Sequence, residues 1–61
     1  MVRDMTKTKH YKNVNGKFIQ IGRIVVDYRK YEIVLDSDGE SDFTYYYHKG
    51  KLEYCTERRY Y

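Results

Sequence analysis

Sixty-one residues leave room for one small domain, which typically buries only about 60% of the surface that its unfolded chain exposes. Nine residues are tyrosine; the single cysteine excludes an internal disulfide, and no apolar run approaches the length of a membrane span. The net charge is +3, but residues 1–30 carry eight Lys or Arg against two Asp, whereas residues 31–48 carry five Asp or Glu and no Lys or Arg. This segregation permits either internal pairing or recognition of a partner that carries both signs of charge.

The first predicted hairpin turns at Asn15-Gly16. This dipeptide favours a type I′ turn, in which both central residues adopt positive φ. It predicts strands over residues 10–14 and 17–21. The apolar alternation then shifts by one position at Gly22, which predicts a bulge or a sharp bend within a long extended stretch that ends at residue 28.

A third strand is predicted over residues 31–35, after a short turn at residues 27–30. The acidic loop that follows permits two registers against the next strand. A two-residue turn would pair Val34 with Phe43 and leave the other apolar residues of the strand on the polar face. We expect an odd-length loop instead, because the hydrophobic pattern sets the register. In the register set by this loop, Tyr31, Ile33 and Leu35 of the third strand align with Phe43, Tyr45 and Tyr47 of the fourth.

The last hairpin is predicted to turn at Lys49-Gly50. A two-residue loop there sets these residues opposite each other: His48 and Lys51, Tyr47 and Leu52, Tyr46 and Glu53, Tyr45 and Tyr54. The register separates an apolar face from a polar face, as a half-buried sheet requires. The predicted apolar face holds Phe43, Tyr45, Tyr47, Leu52 and Tyr54. The predicted polar face holds Thr44, Tyr46, His48, Lys51, Glu53 and Cys55.

Together these elements predict an all-β fold, namely a five-stranded antiparallel meander that can close as an SH3-like barrel. Residues 1–61 form one small β domain in this interpretation. Residues 1–6 are expected to fray, and residues 57–61 are expected to form a tail that makes a short 3₁₀ turn or adds a strand. Because the core is small, barrel closure and self-association are the two expected sources of extra stability, and a homo-oligomer is one expected state.

Two segments resemble motifs of Sm-like RNA-binding barrels. Gly22-Arg23-Ile24, followed by Asp27, Tyr31 and residues 33–35, is similar to the first motif. Residues 47–50 are similar to the second motif of the bacterial branch. The resemblance implies a small RNA-binding barrel. The spacing from glycine to tyrosine is one residue longer here, and the lysine and histidine are transposed, so no functional residue is carried over.

Catalysis is the function class with the least support. His10 and His48 are the only histidines, and the sequence contains no nucleophile elbow, phosphate loop or cysteine–histidine motif. The acidic residues at alternate positions suggest a calcium loop, namely Asp36, Asp38, Glu40 and Asp42. Their spacing around the glycine departs from an EF-hand, however, and turn chemistry alone explains them. We therefore expect no enzyme activity, cofactor or metal.

Binding to a protein is the function that the composition favours. Tyrosine and arginine dominate interface hot spots. In the predicted register, several of the tyrosine residues are not needed to fill the small core and remain free to contact a partner. The expected contact residues are Tyr46, Arg59, Tyr60 and Tyr61. The expected protein is a non-enzymatic module that occludes or bridges a macromolecular partner, as viral or mobile-element inhibitors of host proteins do. We expect it in the cytoplasm, because a lone cysteine suits a reducing compartment and residues 1–10 are too polar for a signal peptide.

Nucleic acid is the alternative partner. Basic and aromatic residues interleave near both ends of the chain, and proteins that bind single strands combine a positive groove with stacking rings. The residues expected to contact it are Lys7, Lys9, Lys12, Arg58 and Arg59. A protein partner is expected first, because the acidic segment over residues 31–48 would repel an extended phosphate backbone.

Overall fold

The computed structural model describes residues 6–60. They form five β-strands and one 3₁₀ turn at Tyr28–Lys30, so the predicted all-β class is confirmed. The strands, in chain order, are β1 (Thr6–Val14), β2 (Lys17–Ile21), β3 (Glu32–Ser37), β4 (Ser41–His48) and β5 (Lys51–Tyr60). The predicted tail therefore belongs to β5 up to Tyr60, and Thr6 belongs to β1. The expected fraying of residues 1–5 lies outside the described residues.

The strands form one antiparallel sheet in the order β2-β1-β5-β4-β3. Only β3, β4 and β5 form a meander, in which each strand pairs with the next one in the chain. The meander does not continue through all five strands, because β1 pairs with β5 and β2 does not pair with β3. The prediction of a continuous five-stranded meander is wrong in this respect. The sheet is open in the described part of the chain, with β2 and β3 as its two edges.

Both predicted tight turns are confirmed. Asn15 and Gly16 have φ values of 54° and 85°, and Lys49 and Gly50 have φ values of 52° and 79°. Two successive residues at positive φ give the type I′ turn, whose twist matches that of the flanking strands. Each turn thus fixes the register at the start of its own hairpin.

A bulge changes the register between β4 and β5. Beside the turn, Tyr47 opposes Leu52 as predicted, but beyond it Tyr46 opposes Tyr54 and Tyr45 opposes Cys55. The predicted pairs of Tyr46 with Glu53 and of Tyr45 with Tyr54 are therefore wrong. Glu53 is the extra residue of the bulge, and a bulge of this kind redirects the side chains that follow it. Tyr54 and Cys55 consequently exchange faces relative to the prediction.

The register between β3 and β4 also differs from the prediction. Ile33 opposes Tyr46 and Val34 opposes Tyr45, whereas the odd-length loop would have aligned Ile33 with Tyr45. The turn is centred on Gly39, whose φ is 92°, and Glu40. This even-length turn places Ile33 on the face of Tyr46, which is the most buried of the described tyrosines, and the amides of Glu40 and Ser41 hold the turn by donating to Asp38 Oδ1.

The segment over residues 22–31 crosses one face of the sheet, because it must connect β2 at one edge with β3 at the other. The Tyr28 ring lies 6.1 Å from the Tyr46 ring, while Ile24 and Val26 are half-buried and the intervening Val25 is exposed. We call this side the covered face. β2 ends at Ile21, so the predicted extended stretch does not continue as a strand to residue 28. Gly22 lies in a bend directly after β2, which is the second of the two predicted alternatives, and it does not form a bulge within a strand.

The remaining connections are tight turns, so no described segment crosses the opposite side of the sheet, which we call the open face. The described core is accordingly very small. Tyr46 is 9% exposed on the covered face, and Cys55 is 8% exposed on the open face. Ser41, at 2%, is the only polar residue buried to this degree among those described. A single sheet with one partial second layer leaves much apolar surface in contact with solvent.

Candidate binding surface

Five apolar or aromatic side chains occupy the centre of the open face, all of them half-buried. Alternation along the paired strands places them side by side. The Phe43 and Tyr45 rings are stacked, with centroids 6.3 Å apart and planes 16° from parallel. This set, the aromatic row, consists of Tyr11, Phe43, Tyr45, Tyr47 and Leu52.

Cys55 lies beneath the aromatic row, between Tyr11 on β1 and Tyr45 on β4. Burial raises the pKa of its thiol, and burial also raises the pKa of the Tyr45 hydroxyl. Both groups therefore stay protonated at neutral pH. A buried, protonated thiol is a poor nucleophile.

Charged side chains flank the aromatic row with opposite signs. Lys7 and Lys9 project from β1 on the open face, whereas Glu32 and Asp36 project from β3 at the other side. The segregation seen along the sequence thus becomes a gradient across the sheet, from a basic flank to an acidic edge. A partner with the converse distribution of charge would be oriented by this gradient.

The four residues predicted to contact a protein do not form one surface. Tyr46 lies in the core on the covered face, so the prediction that it sits on an exposed polar face is wrong. Tyr60 is exposed, but on the side of the covered face, where its hydroxyl bonds to Asp42 Oδ2; this bond raises the pKa of Tyr60. Arg59 alone lies on the open face. Tyr61 lies outside the described residues.

Arg59 is held in place by two contacts. Its Nη2 lies 3.7 Å from Glu57 Oε2, and its Nε donates a 3.4 Å hydrogen bond to the buried hydroxyl of Ser41. Across the strand pair it faces Lys7, which adds to the basic flank of the open face. More than half of its side chain is exposed, so it is able to contact a partner at the rim of the aromatic row.

The five residues predicted to contact nucleic acid are divided between the two faces. Lys7, Lys9 and Arg59 lie on the open face, beside Tyr11 and the stacked rings. The other two project on the side of the covered face. These two residues are Lys12 and Arg58.

A polar cluster occupies the end of the covered face near the β4–β5 turn. The Tyr31 hydroxyl donates a 2.8 Å hydrogen bond to Glu53 Oε1, and His48 Nδ1 lies 3.2 Å from Glu53 Oε2. The Tyr31 and His48 rings stack at 5.0 Å. The bond to Glu53 raises the pKa of Tyr31 to about 12. Both carboxylate oxygens of Glu53, the extra residue of the bulge, thus have partners within the fold.

The acidic loop uses its oxygens to accept backbone hydrogen bonds. Asp38 Oδ1 accepts from the amides of Glu40 (2.9 Å) and Ser41 (2.7 Å), and these bonds lower the pKa of Asp38. Ser37 Oγ accepts from the amide of Gly39 at 3.3 Å. These contacts are those of a capped turn. In the part of the chain that the structure describes, no three His, Cys, Asp or Glu side chains are grouped so that they could hold a metal ion.

An open groove of about 570 Å³ lies beside β3, towards the end of the sheet that the crossing segment leaves free. Its walls combine an aliphatic side chain, hydroxyls and charges of both signs. The main lining residues on the covered-face side are Leu35, Asp42, Thr44, Thr56 and Arg58.

The sequence correctly predicts that most of the aromatic row shares one face, but it also predicts that this face is the buried one. The missing information was long-range, since only the pairing of β1 with β5 adds Tyr11 to the row. Only the path of residues 22–31 shows which face is left open. No local signal in the sequence specifies either feature.

Within residues 6–60, the structure has no helix that is long and apolar enough to cross a membrane. The chain matches no protein-family model, no curated protein and no solved structure.

Proposed function

We propose that the chain is a small, non-enzymatic binding module that occludes or bridges a protein partner through its open face. The observation that carries the proposal is an aromatic row that no described segment covers, flanked by basic residues on one side and acidic residues on the other. We place it in the cytoplasm, with its lone thiol reduced. The module is of the kind that viruses and mobile elements use to inhibit host proteins.

The physical support is the imbalance between apolar surface and core. A sheet ordinarily buries each apolar face against a second layer, and among residues 6–60 only the covered face has one, in residues 22–31. Aromatic side chains give large contact area at a small entropic cost, and central aromatic residues are frequent interface hot spots. Tyr45 lies at the centre of the row, between Val34 and Cys55, and is the leading candidate for an anchor.

Enzymatic function has less support. Cys55 is buried and protonated, and His48 is engaged with Glu53. His10 Nδ1 lies 3.0 Å from Thr56 Oγ1 on the covered face. Neither His10 nor Thr56 has a carboxylate partner among the described contacts. A general base without a nucleophile or an orienting group does not make a catalytic unit.

The test is affinity capture followed by a matched pair of variants. The immobilised chain would be used to capture a partner from a lysate of the native host, with nuclease added to half of the sample. Affinity for the purified partner would then be compared between Tyr45→Ala on the open face and Val25→Ala on the crossing segment, which exposes its side chain away from that face. We expect Tyr45→Ala to cost about 2 kcal/mol of binding free energy and Val25→Ala to have little effect.

Circular dichroism must show that both variants are folded. Equal affinities for the two folded variants would refute the proposal that the open face is the contact surface. Loss of the captured partner after nuclease treatment would point instead to nucleic acid.

Nucleic acid remains the second candidate because Lys7, Lys9 and Arg59 share the open face with Tyr11 and Phe43. This arrangement juxtaposes positive charge and rings on which bases stack. Each basic residue that contacts a phosphate should lower the slope of log K against log salt by about one when neutralised. A steep slope shared by unrelated oligonucleotides, and reduced in Lys9→Gln, would favour this alternative. A shallow slope would favour the protein partner.

A further inference from the structure

β3 is an open edge of the sheet along its whole length. It pairs with β4 on one side and with no strand among the described residues on the other. All six of its residues are exposed, and three consecutive aliphatic side chains, Ile33, Val34 and Leu35, are 41%, 46% and 76% exposed. An exposed aliphatic edge is a template for pairing with a further strand.

The backbone groups that face outward follow from the hydrogen bonds at the turn. The Asp38 amide donates to the Ser41 carbonyl at 3.2 Å, so this pair is a hydrogen-bonded pair of the antiparallel ladder. Alternation then directs the backbone groups of the even-numbered residues of β3 towards β4. The amides and carbonyls of Ile33 and Leu35 point away from β4, towards the open edge.

The side chains along the edge differ between the two faces. Ile33 and Leu35 project on the covered-face side, where Leu35 lines the groove. Glu32, Val34 and Asp36 project on the open-face side. On the covered-face side, an added strand would therefore lie beside two aliphatic side chains. On the open-face side, it would lie beside one aliphatic side chain that is flanked by two carboxylates.

We propose that β3 docks an extended peptide as a sixth strand of the sheet. Main-chain hydrogen bonds to Ile33 and Leu35 supply the docking, and side-chain contacts select the sequence. The peptide carries aliphatic residues towards Ile33 and Leu35, and lysine or arginine opposite Glu32 and Asp36. This surface differs from the open face, and its occupant is a short cationic segment of a protein.

Charge argues against a second copy pairing through the same edge. Two β3 strands in antiparallel register would bring the Glu32 and Asp36 carboxylates of both copies close together, and like charges across a strand pair are destabilising. The other edge, β2, has the opposite character, because Lys17 lies on it and Lys12 lies next to it. It serves as an internal comparison, since a cationic peptide should avoid it.

The experiment is amide hydrogen exchange by NMR, with a capped peptide of sequence Ser-Lys-Ile-Val-Ile-Lys-Ser as the probe. The sequence reads the same in both directions, so either strand orientation satisfies it. A second peptide with glutamate in place of both lysines is the matched control. We expect the cationic peptide to slow exchange at the amides of Ile33 and Leu35, to leave the β2 amides unchanged, and to bind at least about tenfold more tightly than the acidic peptide.

A pair of variants separates main-chain from side-chain recognition. Leu35→Pro removes an outward amide at an edge position where proline is tolerated, and Leu35→Ala keeps the amide but shortens the side chain. We expect Leu35→Pro to weaken binding more than Leu35→Ala while retaining a cooperative thermal transition. If Leu35→Pro fails to fold, the exchange data on the unmodified chain decide the question.

Three results would overturn the proposal. The first is equal affinity for the cationic and acidic peptides, and the second is an absence of exchange protection at Ile33 and Leu35 at saturating peptide. The third is protection of these amides by raised protein concentration alone, which would assign the edge to a second copy. These results do not measure contact at the aromatic row, which the comparison of Tyr45→Ala with Val25→Ala tests, so failure of the peptide proposal and failure of the proposed function are distinguishable.

Discussion

The Lys49-Gly50 turn permits a clean test of how far one backbone conformation stabilises this fold. Gly50 has a φ of 79°, and a Cβ built on it would meet no atom within 4 Å. Replacing Gly50 with valine therefore introduces no clash with neighbouring side chains. Its cost is the backbone strain of a β-branched residue at positive φ, which is roughly 1–2 kcal/mol or more.

Gly22 provides the matched control, because a Cβ there also meets no atom and its φ does not lie in the left-handed region. Gly22→Val reduces the entropy of the unfolded chain by the same mechanism as Gly50→Val, so the difference between the two variants isolates the strain. For a domain of this size, 1–2 kcal/mol corresponds to a fall in Tm of roughly 4–16 °C.

The assay is thermal unfolding followed by circular dichroism, on both variants and the unmodified chain. We expect Gly50→Val to melt several degrees below Gly22→Val. Equal melting temperatures for the two variants would refute the type I′ turn at Lys49-Gly50, and with it the register at the start of the last hairpin.

Three further predictions concern the small core and the acidic loop. Tyr46→Ala should destabilise the fold by about 3 kcal/mol or more, because Tyr46 is the most buried aromatic residue within residues 6–60, whereas Tyr60→Ala should cost far less; urea unfolding measures both, and equal effects would contradict the assignment of the core. The pKa of Asp38 is lowered in the fold, so its contribution is present above the unfolded pKa of 3.8 and is lost as pH falls through the lower folded value; Asp38→Asn should make stability less dependent on pH in this acidic range, and an unchanged pH profile would count against the turn contacts. Cys55 should react slowly with a thiol reagent at pH 8 in the native state and rapidly in urea, because burial raises the pKa of the thiol; rapid native labelling would show that the aromatic row does not bury it.

The features that the sequence predicts well are those that depend on neighbouring residues. The turns at Asn15-Gly16 and Lys49-Gly50 require positive φ at two successive residues, and the dipeptides alone specify this. The pairs next to the second turn, Tyr47 with Leu52 and His48 with Lys51, follow directly from it. Local chemistry is enough for these elements, since few residues separate the partners.

The features that the sequence does not predict depend on contacts between distant residues. The bulge at Glu53 is stabilised by Tyr31, which lies 22 positions away, and no pattern within the hairpin signals it. The bulge has a large effect on the predicted faces of β5, because a shift of one residue moves every subsequent side chain to the other face. The prediction of Tyr46 on an exposed face is wrong for a separate reason, because residues 22–31 cross the face on which it lies and Tyr28 packs against it.

The two proposed surfaces meet along the open-face side of β3, at Glu32, Val34 and Asp36. The open face presents its contacts perpendicular to the sheet, whereas the β3 edge presents its hydrogen bonds in the plane of the sheet. A narrow partner seated on Tyr45 would thus leave the edge accessible, and the chain would bridge two molecules. A broad partner that overhangs β3 would exclude the peptide, and the chain would act by occlusion. Competition between the captured partner and the cationic peptide therefore distinguishes the two modes of action, because simultaneous binding is possible only if the partner stops short of the edge.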